Sequence, residues 1–198
     1  MSNASTIRRQ IAGTQQLTLA PLSGTTITTT KTAFQLNNNG LTLTGGGVIP
    51  LSAGVTGLYA GTGQVLHVAA TGQVSGATPS TTTLVLTLYE VPAAVVAAGL
   101  TPTSFTNWNS VAATSALALS DAADSFTFDA RLQLDASGNL QGSWTATING
   151  ATIAAWAAIT PITGLVGEAD LNFVMAATLG GAESGVIVTL SEFRIDLE

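Results

Sequence analysis

Residues 125–153 read SFTFDARLQLDASGNLQGSWTATINGATI, and the alternation in this stretch decides the fold. Phe126, Phe128, Ala130, Leu132 and Leu134 recur at every second position, with Thr127, Asp129, Arg131, Gln133 and Asp135 between them. Successive side chains of a strand leave on opposite sides, so the segment buries one face and wets the other. Asp135-Ala-Ser-Gly-Asn139 breaks the pattern with turn formers. Leu140, Trp144, Ala146 and Ile148 then resume it against Gln141, Ser143, Thr145 and Thr147. Asn149-Gly150 follows, and both residues tolerate the positive φ of a type I′ hairpin turn. The stretch is a three-stranded antiparallel meander with one apolar side, which needs a second sheet to cover it.

The flanks carry the same texture. Gln15–Ala20, a Thr-dominated Thr25–Leu36 and Leu41–Thr44 read as short strands, and residues 48–62 as loop with strand fragments. Gln64–Ala70 is apolar on both faces, which predicts a central strand, with a loop from Gly72 to Ser80. Thr82–Val91 alternates, with Leu84, Leu86 and Leu88 on one side, until Pro92 stops it. Ala93–Leu100 is the one place for a short helix, Thr101–Asn109 a loop, and Val111–Leu119 an Ala-rich strand. After the meander, Leu171, Phe173, Met175 and Ala177 share one parity, and Gly180–Ser184 turns the chain. In the last strand Val186, Val188 and Leu190 share one phase while Phe193, Ile195 and Leu197 take the other. One extra residue near Ser191-Glu192, a β-bulge, keeps both sets facing the core. About ten strands with almost no helix predict an all-β fold: an antiparallel, jelly-roll-like β-sandwich with at most one short helix. Residues 1–13 read as an N-terminal arm and 14–198 as a single β-sandwich domain.

Composition narrows the function. Charged residues are only 8% of the 198, against roughly 25% in an average soluble domain. The net charge is −6, yet residues 1–10 hold Arg8 and Arg9 and no acid, leaving −8 on the remainder. Only Lys31, Arg131 and Arg194 remain as cations there, so nucleic-acid binding is disfavoured. No cysteine is present, which removes disulfides and thiolate metal sites. No apolar run of about 18 residues predicts a membrane span. MSNASTIRRQIAG has no apolar core of the kind a secretory signal peptide carries.

No catalytic residue, metal ligand or cofactor is expected. His67 is the single histidine; with Val65 and Ala69 on its face it reads as a packed strand residue, and no second His or Cys can join it in a zinc site or triad. Asp121, Asp124, Asp129, Asp135, Glu168 and Asp170 are the candidates for two-carboxylate glycosidase chemistry, and most fall at turns or strand ends. The segments Asp135–Asn139 and Asp121–Asp124 lack the acid density of an EF-hand loop. Trp144 reads as core, and Trp156, with alanines on either side, as core or interface. Trp108, flanked by Asn107 and Asn109, is the candidate platform for stacking a sugar ring, or else a loop residue covering the end of the sandwich or a subunit contact. Arg8 and Arg9 are the candidate anchors of an arm that docks on acidic ground such as Glu192, Asp196 or Glu198 of a neighbour.

In texture the chain resembles virion structural proteins of tailed bacteriophages, particularly capsid decoration (cement) proteins. The resemblance rests on Thr/Ala/Gly-rich strands, sparse charge, no cysteine, the short basic arm and the ending Leu190-Ser-Glu-Phe-Arg-Ile-Asp-Leu-Glu198. It implies a homotrimer on the capsid surface that binds major capsid proteins, with no catalytic residues, no nucleic acid and no membrane among its partners. Tail-fibre, receptor-binding and carbohydrate-binding modules share that texture, and they imply glycan binding instead.

Overall fold

In the computed structural model the described residues are 17–18, 25–27, 33–35, 49–52, 63, 65–75, 83–92, 94–95, 107–120, 123–165, 170–179 and 186–197. They form strands β1 (Leu17–Thr18), β2 (Thr25–Ile27), β3 (Ala33–Gln35), β4 (Ile49–Ser52), β5 (Leu66–Ser75), β6 (Thr83–Glu90) and β7 (Asn109–Ala113). These are followed by β8 (Leu117–Ala118), β9 (Asp124–Leu134), β10 (Leu140–Ile148), β11 (Ala151–Ala158), β12 (Asp170–Leu179) and β13 (Val186–Leu197). The expected arm with Arg8 and Arg9, the expected strand Leu41–Thr44, Asp121, Glu168 and the turn at Gly180–Ser184 lie outside the described residues. Of the expected helix, Ala94 and Val95 are described and are helical, with the Val95 N–H donating to the Pro92 carbonyl at 2.9 Å.

The strands make an antiparallel β-sandwich. One sheet runs β1-β13-β5-β9-β10-β11, with β2 also on β13; the other runs β3-β12-β6-β7, with β4 on β12 and β8 on β6. The first long strand pairs with the last, β5 with β13, and the next pair inward, β6 with β12, lies in the opposite sheet. This nesting is the jelly-roll-like feature, and the meander β9-β10-β11 extends the first sheet beyond it. Alternation works as the sequence demands: β9 buries every second residue from Asp124 to Leu134. Leu66, Val68, Phe126 and Phe128 of one sheet join Leu84, Leu86, Leu88 and Phe173 of the other in one apolar cluster. Phe128 stacks on Trp144 with ring centroids 5.3 Å apart, which places Trp144 in the core as expected. Burying a Phe or Leu side chain stabilises by about 1.5–3 kcal/mol, so this seam dominates the energetics. The expected bulge is present: the β13–β5 register shifts between Leu190 and Glu192, and Leu190 and Phe193 are both buried.

Three boundaries differ from the sequence reading. β5 continues through Gly72 to Ser75 where a loop was expected, because Gly72 stands opposite Phe126 and the ring fills the space a side chain would take. A Cβ there would lie 2.4 Å from Phe126 Cζ and 2.3 Å from the Thr189 carbonyl oxygen. Val111–Leu119 divides at Thr114, which takes β6 by side chain as well as backbone: its N–H donates to the Leu86 carbonyl, and its Oγ1 accepts from the Leu86 N–H at 3.0 Å. Thr25–Leu36 contributes to both sheets, β2 pairing with β13 and β3 with β12. β5 is internal as expected, between β13 and β9, but only Leu66, Val68, Ala70 and Val74 of its apolar residues face the core; His67 and Ala69 point outward and are half-buried.

Candidate functional site

Trp108 lies at the side of the sandwich where β7 approaches the segment after β11. The Thr160 N–H donates to the Val111 carbonyl at 3.1 Å and the Ile159 N–H to the Gly142 carbonyl at 3.0 Å, drawing the two sheets together there. Above this seam is an open depression of about 370 Å³, walled by Trp108, Asn109 and Ser110 on one side and Thr160–Thr163 on the other. Asn107 turns the chain with a φ of 64°, and Asn109 Nδ2 donates to Glu90 Oε2 at 2.8 Å. Glu90 is fully buried, a residue the alternation of β6 placed inward but no motif singled out. Trp108 is half-buried, with its ring edge-on to Tyr89 at 5.6 Å and 78°. With Val91, Val95 and Val174 these two rings make a small apolar cluster on the outer face of the second sheet, so both faces of β12 are covered. The depression therefore offers an indole wall, hydroxyls and an amide, but Trp108 is partly committed to packing.

Among the described residues, Asp124, Asp129 and Asp135 are not brought together. Asp124 is buried at the start of β9, where it accepts from the Ser120 N–H (2.8 Å), Ser120 Oγ (2.7 Å) and Asn149 Nδ2 (2.5 Å). Burial, the largest single influence, would raise its pKa, but these hydrogen bonds together outweigh it and hold the carboxyl below the usual Asp range. Asp135 closes the β9–β10 turn, accepting from the N–H groups of Ser137 and Asn139 and from Gln141 Nε2; the Asn139 backbone bond is the main cause of its lowered pKa. Asp135 follows the end of β9, six residues and about 20 Å along the extended chain from Asp129, and Asp124 and Asp129 leave opposite faces of β9. A glycosidase pair needs about 5–9.5 Å, so these three cannot supply one. Asp170 begins β12. Among the described residues no three of His, Asp or Glu gather as a metal site, and no helix is long and apolar enough to cross a membrane.

His67 is a largely covered strand residue on β5, on one face with Ala69. It stands on the outer face of the first sheet, with Nε2 and Asp129 Oδ2 2.6 Å apart and side chains 13% and 33% exposed. Ala69 opposite Asp129 and His67 opposite Arg131 set this pair diagonally across β5 and β9. The same face carries a contact that the sequence did not announce. Arg131 Cζ lies 5.5 Å from the centre of the Trp156 ring, across β10. Trp156 is the large apolar residue most exposed among the described residues, at 51%, which resolves its core-or-interface reading in favour of the surface. It sits in a bulge: Trp144 pairs with Ala157 and Ala146 with Ala154, so Ala155 and Trp156 together stand opposite Thr145. Comparisons of the chain with protein-family models, curated proteins and solved structures find no match.

Proposed function

We propose that the chain is a non-enzymatic structural protein of a tailed-phage virion, of the capsid decoration type, that binds major capsid proteins as a homotrimer on the capsid surface after synthesis in the host cytoplasm. The observation that carries the reading is the separation of charge: +2 in the first ten residues, with Arg8 and Arg9, against −8 in the rest. An arm of one sign and a body of the other suit docking between neighbouring subunits. Each exposed ion pair contributes only about 0–1 kcal/mol, but symmetric repetition over a particle multiplies it. Deleting residues 1–12 tests the tether: the truncated chain keeps its melting transition and loses binding to the particle. Unchanged particle binding rejects it.

A second reading, a glycan-binding module of a tail fibre or receptor-binding protein, is favoured by the depression beside Trp108, where an indole, an amide and hydroxyls line one surface. A glycan array separates the two readings, and Trp108→Ala tests that site.

A further inference from the structure

We infer that the outer face of the first sheet carries a saccharide site built on Trp156 and Arg131; the inference rests on the glycan-binding reading and moves its platform away from Trp108. Trp156 adopts a φ of 39°, a backbone region that a bulky aromatic rarely takes. The bulge imposes it, and Thr145 Oγ1 secures the bulge by donating to the Ala154 carbonyl at 2.6 Å. The indole is thus held outward from a rigid strand rather than folded onto the core, and half of it meets solvent.

Arg131 completes the site. In register it is followed across β10 and β11 by Ser143 and Ala158, small residues that leave a lane for its side chain to reach the ring. It is exposed, and its one ionic or aromatic partner among the described residues is the Trp156 ring. Its fork of N–H donors is therefore oriented by the indole and unspent on carboxylates. An oriented donor fork beside an exposed aromatic surface matches a pyranose: C–H groups lie on the indole while hydroxyl oxygens accept from the guanidinium. Asp129, two residues along the same face of β9, sets a negative charge near the positive one, so the patch as a whole favours a neutral sugar over an acidic one.

The experiment titrates the full chain with neutral (cellohexaose, maltohexaose, chitohexaose) and acidic (oligogalacturonate, sialyllactose) oligosaccharides, following tryptophan fluorescence and heat. The expected result is binding of a neutral oligosaccharide that weakens at least about tenfold in Trp156→Ala, survives in Trp108→Ala and is largely restored in Trp156→Phe, with Arg131→Ala weakened about fivefold. Melting curves confirm that each variant is folded, and Trp156→Phe keeps the test open should the alanine variant misfold. Loss of binding in Trp108→Ala but not in Trp156→Ala overturns this site and leaves the glycan reading standing. Preference for the acidic sugars overturns the neutral assignment, and binding of none of the five overturns both the site and the reading.

Discussion

Replacing Asp124 by Asn perturbs the pin that joins three parts of the chain. The carboxylate, 1% exposed, receives the Ser120 backbone and hydroxyl groups from the β8–β9 connection and the Asn149 amide from the β10–β11 hairpin, at 2.5–2.8 Å. Asn149 is fixed in turn: its N–H donates to the Ser125 carbonyl and its Oδ1 accepts from the Ser125 N–H, both at 2.8 Å. An amide keeps the shape but has one acceptor oxygen where the carboxylate has two, so at least one donor faces an NH₂ group. Hydrogen bonds to a charged partner contribute about 1.5–3 kcal/mol each, and the expected loss is about 2–3 kcal/mol at pH 7. The sign with pH follows from the lowered pKa: the folded state binds this proton less readily than the unfolded chain, so the carboxylate stabilises above the ordinary Asp value of about 3.9. That contribution fades as pH falls through the folded-state value. Urea titrations at several pH values should therefore show a gap between the native protein and Asp124→Asn at pH 7 that narrows below about pH 4. Equal stabilities at pH 7, or a gap that persists undiminished at pH 2, would refute the assignment of this carboxylate as an ionised pin.

Two further variants probe the seam between the sheets. Gly72→Ala sets a methyl group against Phe126 and the Thr189 carbonyl; the expected cost is about 1–3 kcal/mol in urea unfolding, with Phe126→Leu in the same background recovering part of it. Phe128→Ala opens a cavity beside Trp144, and a loss of about 3–5 kcal/mol with a changed near-ultraviolet signal from that indole is expected.

The meander was legible because its order is local: period-two alternation, an Asx-closed turn and Asn-Gly each declare themselves within a few residues. The bulge in β13 was legible for the same reason, as a change of phase at Ser191-Glu192. What escaped depends on partners distant in sequence. Gly72 looks like a stop until Phe126 lies opposite, the aromatic that makes a strand glycine tolerable. Thr114 looks like one more strand residue until Leu86 is beside it. His67 finds Asp129 at 62 residues' distance, and nothing near either residue foretells the pair. At Trp156 the flanking alanines leave the face unmarked, and the two bulges that set its partner in β10 depend on pairing across the hairpin rather than on any local signal. The Trp108 loop is marked in the sequence by its flanking asparagines, but its packing against Tyr89 comes from a strand some twenty residues earlier.

The proposal that this molecule works by docking on a virion is tested most directly by counting. Particles purified from cells that carry the gene, washed in high salt and analysed by quantitative mass spectrometry, should hold the chain at a fixed ratio to the major capsid protein, in copy numbers divisible by three. Its absence from such particles, with the protein abundant in the lysate, would contradict the account.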